Sequence, residues 1–374
     1  MATHLAAFAT AKGEPFKVQS RPTPKPGPGE LLVEVKYVAL NPADHVMRDT
    51  GLFIQTYPTV IGFDLAGLVL AVGDGVPVGE GPGLLFQPGI TRIAAYGASF
   101  WKSCDPDYGA FQEVCLVPWQ HAVPLPDNIS WEHAATLSVS AQVPLNAWDV
   151  MGIPRLGEAP SVKEKKEKEK KREALLIWGA SSSVGTMGVQ SARLLRGEQG
   201  SSVAAVYATA SAANHEYVAS LGADRVFDHR DPRVVDAIVS AAKEDGLVIR
   251  HCFLAVGKLA PCQAVLQAFF EDDADQAGGK PKAQIASAPS VPEDTKQVDG
   301  VEIIFVLPSS DEKEKLDQFR YWIGTWLREN LAKGTIRPSP EPTVVGEGLG
   351  AINDGLDQII RGISCTKLVV KVGK

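Results

Sequence analysis

Between residues 174 and 254 the hydrophobic pattern of the chain switches repeatedly between strand and helix spacing, and this alternation limits the fold more than any other feature. Residues 174–178 (ALLIW) form an apolar run of strand length, 184–195 has helical spacing, 203–208 (VAAVYA) is a second apolar run and 214–221 a second helix. A short strand at 225–227, a helix at 234–243 and a strand at 248–254 continue the series, and 301–307 (VEIIFVL) adds a further strand. Strands separated by helices in this way pack as a parallel sheet with helices on its faces.

The two ends of the chain read differently. The first ~135 residues hold short apolar stretches at 31–40 (LLVEVKYVAL), 60–72 and 111–117, punctuated by Gly and Pro, which predicts a β-barrel or sandwich-like domain. Short helices are expected at 131–137 and 143–151. A helix over 311–333 carries Phe319, Trp322, Ile323, Trp326, Leu327 and Leu331 at three- and four-residue steps, a stripe better suited to core packing than to a ligand wall. The tail at 367–372 (KLVVKV) returns to strand. β-type ends around an α/β middle predict one domain inserted in another: 1–137 and 309–374 from the β-rich domain, 138–308 from the α/β domain. A charged insertion is placed at 158–173. Within it 163–173 holds seven bases and four acids with no interleaved apolar residue, so a solvated loop or frayed helix suits it better than an interaction patch.

Composition excludes several classes. A net charge of −7 argues against nucleic acid or an anionic membrane as a partner, and no apolar run of 18 residues spans a bilayer. The five cysteines, at 104, 115, 252, 262 and 365, contain no CxxC pair, so neither a disulfide framework nor a structural zinc site is expected. With no basic segment leading an apolar one at the start, a reducing, cytoplasmic setting is expected.

The chemistry concentrates at 179–185 (GASSSVG), directly after the ALLIW strand and opening a helix. Gly179 suits a tight turn and Gly185 a close helix–strand approach, while backbone N–H groups at the start of the helix point at a pyrophosphate. Ser181, Ser182 and Ser183 add hydroxyl donors around Val184; the middle glycine of a full G-x-G-x-x-G pattern is absent. An NAD site would place an acid about 20 residues on to hold the ribose 2′-OH. Here Ser211, Asn214, His215 and Tyr217 follow the second strand instead, which favours a 2′-phosphate and hence NADPH; Ser and Asn are also ordinary helix caps, and both readings can hold together.

On these residues the chain resembles the medium-chain dehydrogenase/reductases, in the zinc-independent quinone and enoyl reductase branch. The likeness rests on 41–44 (NPAD), 57–67 (YPTVIGFDLAG) with Val72-Gly73, 108–113 (YGAFQE), the GASSSVG turn, 220–224 (SLGAD) and the KLVV ending. GASSSVG followed by TAS and NHEYV is similar to the fungal trans-acting enoyl reductases of polyketide pathways. The resemblance implies a GroES-like substrate domain from the two chain ends, a doubly wound Rossmann domain between them, and an active-site cleft between the domains. Where zinc-dependent members carry a Cys and a His-Glu pair, this chain reads Asn41, Phe63 and Asp64, so catalytic zinc is not expected.

Without zinc, the implied chemistry is hydride addition to an activated C=C or a quinone. Candidates for the catalytic part follow the first long strand, in what reads as a loop: Asn41 as a donor to a carbonyl or nicotinamide, Asp44 as a loop-ordering acid, and His45 as a proton donor titrating near neutrality. Arg48 suits a salt bridge or an acidic substrate. Ser138 and Ser140 sit where the family approaches the cofactor, and so does the strand end at 252–256, through Leu254 and Val256. An enone, acyl thioester or quinone is the expected substrate, with a polyketide synthase or acyl carrier as a possible partner. A cofactor-binding protein without turnover is the alternative from another class. Both a monomer and a homodimer are open; the strand at 301–307 is a candidate pairing edge, limited by Pro308.

Overall fold

A computed structural model describes residues 2–79, 83, 85–155, 172–196, 201–270 and 283–373. Most of the charged insertion expected at 158–173 lies outside the described residues; Glu173 itself opens a strand. The chain divides into two compact units, Met1–Gln142 with Ser309–Lys374, and Val143–Pro308. The first division falls inside the helix Leu137–Val150, which runs unbroken through Pro144.

In the first unit, the strand Glu30–Ala39 alternates buried and half-buried positions, as period-two patterning requires. It pairs antiparallel with Asp64–Val72, Lys367–Lys371 and Val114–Pro118. The sheet continues through Arg92–Tyr96 to Ala122–Pro124 on one side and through Pro342–Glu347 on the other. A smaller sheet joins Lys17–Pro22, Thr3–Ala9 and Thr59–Val60. The register sets Ala39 opposite both Asp64 and Val369, and Asp64 opposite Tyr96, so four strands bring their ends to one place.

One local expectation is corrected and two are refined. The residues after the first long strand form the helix Pro42–Thr50, not a loop: Pro42 stands at its first turn, the Asp44 carboxylate accepts the Asn41 N–H at 2.7 Å, and Gly51 closes it with φ 68°. The apolar run at 60–72 is broken at Gly62, whose φ of 109° separates two strands. The aromatic stripe at 319–331 is buried throughout, but its middle turn, Arg320–Leu327, is π-helical between the α-helices Glu312–Phe319 and Arg328–Ala332. The helix Ala351–Arg361 and the strand Pro342–Glu347 complete this unit.

The second unit is a six-stranded parallel sheet. In spatial order it runs Arg225–Asp228, Val203–Ala210, Glu173–Trp178, His251–Leu254, Ala283–Ser287 and Val301–Phe305. Numbered along the chain that order is 3-2-1-4-5-6, a doubly wound sheet whose strand order reverses beside Glu173–Trp178. Both faces of the central strand are buried, which is why ALLIW reads as a continuous apolar run.

Candidate functional site

The reversal point carries the glycine turn. Gly179 has φ 81°, and a Cβ there would lie 2.4 Å from Val256 Cγ1 and 2.6 Å from its carbonyl oxygen. A Cβ at Gly185 would lie 2.4 Å from the Gly179 carbonyl oxygen. Both positions therefore need glycine for space, and Gly179 also for conformation. Ser182 caps the helix Ser183–Leu194: its hydroxyl donates to Gly179 O at 2.8 Å and accepts the Gly185 N–H at 3.2 Å. Ser181, Ser183 and Val184 are half-buried, and the N–H groups of Ser183 and Val184, at the start of the helix ahead of the capped Gly185, have no acceptor within the helix and are available to an anion. Thr209 anchors the turn to the second strand, its hydroxyl accepting the Gly179 N–H at 3.0 Å. Leu254 is buried, Val256 is exposed, and the Ala255 N–H donates to Trp178 O at 2.9 Å. The turn thus has the shape and the donors that a dinucleotide pyrophosphate requires.

Ser211, Asn214 and His215 come together at the end of the second strand. Asn214 Nδ2 donates to Ser211 Oγ at 3.1 Å, and His215 Nε2 lies 3.2 Å from Ala210 O. Tyr217 follows in the helix His215–Ser220, half-buried. The next strand adds Asp228, paired opposite Ala210; backbone N–H groups of Arg230 and Ala212 hold its carboxyl below the ordinary range. That acid braces the turn, and the exposed His229 and Arg230 follow it. The triplet lies one strand beyond the one in which a 2′-ribose residue is sought, so position along the chain does not flag it.

In the β-rich unit the converging strand ends make a buried polar cluster. Asn41 Nδ2 donates to Asp64 Oδ2 at 3.1 Å, and Lys367 Nζ lies 3.2 Å from the same oxygen. Lys367 Nζ also donates to Asn41 Oδ1 at 2.5 Å. The second oxygen of Asp64 accepts the Val139 N–H at 2.8 Å. Asp44 is fully buried; its Oδ1 has no partner among the described residues, and neither has Ser138 Oγ. Burial raises the Asp44 carboxyl to about 7, against the pull of the Asn41 N–H and the Lys367 charge, with Asp64 adding to the rise. Burial likewise raises the Tyr96 hydroxyl, and the charges of Asp64 and Asp44 add to it.

Residues 27–127 match the family model of the alcohol dehydrogenase GroES-like domain. Over 370 residues the chain is 38% identical to the trans-enoyl reductase tndF of Aspergillus flavipes, covering 98% of each chain. The chain belongs to the medium-chain dehydrogenase/reductases, among their enoyl reductase-like members. It is also 40% identical over 314 residues to the trans-enoyl reductase tazE of Aspergillus terreus, covering 83% of this chain and 94% of that one. A solved structure from Rhizobium etli, provisionally named a zinc-dependent alcohol dehydrogenase, superposes with a TM-score of 0.74 over 100% of this chain and 99% of that one; at 22% identity the likeness concerns the fold alone. This protein is therefore an oxidoreductase, with a GroES-like domain and a Rossmann-type sheet, and its family implies a nicotinamide cofactor.

Within this reductase the other expected residues separate. His45 sits on the helix Pro42–Thr50 with its ring 3.6 Å from Asp49, the residue one turn on. Arg48 is buried against Asp49 and Asp357, each at 2.7 Å, and joins two helices. Ser140 donates to Thr136 O at 2.6 Å, a packing role. The Asn41 amide has both ends engaged in the cluster, its Nδ2 also reaching Ala39 O at 3.4 Å, so it is a fixed element of the cluster. In the sequence Asp64 stands out only where zinc-dependent members carry a ligand, and Lys367 and Tyr96 carry no local signal; strand register alone unites them. Among the described residues no three His, Cys, Asp or Glu side chains gather to hold a metal, and no helix is long and apolar enough to cross a membrane.

Proposed function

We propose that this enzyme is an NADPH-dependent reductase of activated C=C bonds, enones or enoyl thioesters, working without catalytic zinc. The residue set at 41, 63, 64 and 367 carries this reading. An amide, a phenyl ring, a carboxylate and an ammonium offer no zinc ligand set, so an alcohol cannot be activated as a metal alkoxide. When bound, the reduced nicotinamide supplies hydride to the β-carbon of a conjugated carbonyl, and a proton added at the α-carbon completes the reduction. The chain's own part is to hold the pyrophosphate on the 179–185 turn and to receive the 2′-phosphate at Ser211 and Asn214, with Arg230 following Asp228 at the end of the neighbouring strand. The buried cluster supplies fixed charge to the acceptor, and burial keeps the Asp44 carboxyl partly protonated near neutral pH.

The relatives named trans-enoyl reductases support an enoyl substrate, and the resemblance read from the sequence adds a polyketide synthase or acyl carrier as partner. Quinone reduction would use the same residues, so paired substrates decide between the two. The test follows NADPH and NADH oxidation, with and without a chelator, against an enoyl thioester and a quinone. NADPH-selective, chelator-insensitive turnover that favours the thioester is the expected result. Chelator-sensitive turnover would overturn the zinc-free assignment, and tight NADPH binding with neither acceptor reduced would overturn the enzyme assignment.

A further inference from the structure

Lys367 opens the last strand of the chain, yet its side chain is only 3% exposed, and it closes a ring of three side chains drawn from distant parts of the sequence. Its ammonium donates to Asn41 Oδ1, Asn41 Nδ2 donates to Asp64 Oδ2, and that same oxygen lies 3.2 Å from the ammonium. An amide bound this way at both ends cannot flip, because its oxygen must face the cation and its nitrogen the carboxylate. Fold stability alone does not explain such a ring. Removing two charges from water offsets most of their attraction, and an apolar pair of similar volume serves a core as well or better. Two further buried atoms of the cluster and its flank, Asp44 Oδ1 and Ser138 Oγ, lack partners among the described residues. A cluster kept only for packing would satisfy or replace them.

We propose that Lys367 is a positioning residue for the reduction: its buried ammonium orients the Asn41 amide and provides a standing positive potential that favours an acceptor oxygen gaining negative charge. Asp64 is its counter-ion, held in turn by the Val139 N–H. The charged and titratable groups facing the ammonium are Asp64 from the strand Asp64–Val72 and Asp44 from the helix Pro42–Thr50, with Tyr96 beyond them on the strand Arg92–Tyr96. The role rests on the proposed enone reduction, but the potential itself does not depend on turnover.

The test therefore uses a probe that is not reduced. Pentane-2,4-dione ionises to an enolate with its own ultraviolet band, and its titration is followed in the presence of the NADP+-loaded enzyme. Wild type is expected to raise the enolate fraction at a given pH by about tenfold, the effect of the Lys367 charge on an oxygen that approaches it from the side away from its Asp64 counter-ion. Lys367→Met loses this shift. Because that variant leaves Asp64 buried and unpaired, the charge-balanced double variant Asp64→Asn with Lys367→Met is measured beside it, together with thermal unfolding. The double variant is expected to recover the melting temperature without recovering the shift, and to lower kcat for the enone by at least about tenfold with the KM for NADPH unchanged. Absence of a shift in wild type, or a folded double variant that keeps both shift and kcat, would overturn the proposal. A shift in wild type that the Lys367 variants lose, without reduction of any enone, would instead overturn the proposed function and leave the potential at Lys367 standing.

Discussion

The glycine turn of the α/β unit and the buried cluster of the β-rich unit are built by opposite means. The turn is backbone: seven consecutive residues, two of them glycines that cannot carry a Cβ, present N–H groups from one helix start. The cluster is side chain: positions 41, 44, 64 and 367 meet because four strand ends converge, and its interactions run over 300 residues of sequence. A backbone site is specified by what is forbidden at each position and tolerates change at its polar residues. A buried side-chain site is specified by charge balance, so removing one member exposes the rest to an uncompensated environment.

The largest effect is expected where the turn is least tolerant. Gly179→Ala places a methyl group against the Val256 carbonyl in a left-handed conformation. NADPH binding should weaken by more than about 4 kcal/mol, or roughly a thousandfold, with the fold of the β-rich unit intact. Quenching of tryptophan fluorescence on titration with NADPH measures it. Binding within a fewfold of wild type would remove the turn from the cofactor site.

The cluster should show itself through pH. The folded Asp44 carboxyl titrates at about 7, well above its unfolded value near 3.8, so the folded state holds a proton that the unfolded state releases first. Its contribution is complete below the unfolded value and is lost as pH rises through about 7, opposite in sign to a salt-bridged carboxylate. Wild type should therefore lose about 4 kcal/mol between pH 4 and pH 8 relative to Asp44→Asn, read from urea midpoints across that range. Parallel stability curves for the two proteins would mean that Asp44 is ionised in the fold.

The same contrast decides which parts of the molecule are legible in its sequence. GASSSVG after an apolar strand declares a turn, a helix start and an anion cradle within one window, since each residue's constraint is local. The parallel order follows from strand–helix alternation for the same reason. The residues at 42–50 do not read as a helix, because PADHVMRDT lacks a long apolar stripe and owes its start to Pro42 and the Asp44 carboxylate. The π-helical turn at 320–327 hides within a stripe that is otherwise regular. Lys367 is illegible because nothing in KLVVKV distinguishes a buried lysine from an exposed one; its burial depends on pairing with a strand more than 300 residues away.

A smaller effect separates capping from ligand contact within the turn. Ser182→Ala removes the hydroxyl that accepts the Gly185 N–H and donates to Gly179 O. Loss of a helix cap of this kind costs about 1 kcal/mol, so melting temperature should fall by a few degrees and NADPH affinity by about fivefold. A drop in affinity beyond a hundredfold with little change in melting temperature would make Ser182 a direct phosphate ligand rather than a brace.

The smallest effect is expected at His45, one residue beyond Asp44. Its ring is partly exposed on the helix Pro42–Thr50 and lies 3.6 Å from Asp49, whose carboxylate already takes the Arg48 guanidinium at 2.7 Å. This contact is with a neighbour on its own helix, in the geometry of a surface pair worth about 0–1 kcal/mol. His45→Ala should leave stability within that range and kcat within about twofold, measured with the enoyl thioester across pH 5 to 9. If instead kcat falls tenfold or more and a titration limb near neutrality disappears, the proton donor is a partly exposed histidine. The buried cluster would then serve orientation and charge alone, and the proposed division between a backbone-built cofactor site and a side-chain-built acceptor site would need a third, solvent-facing component.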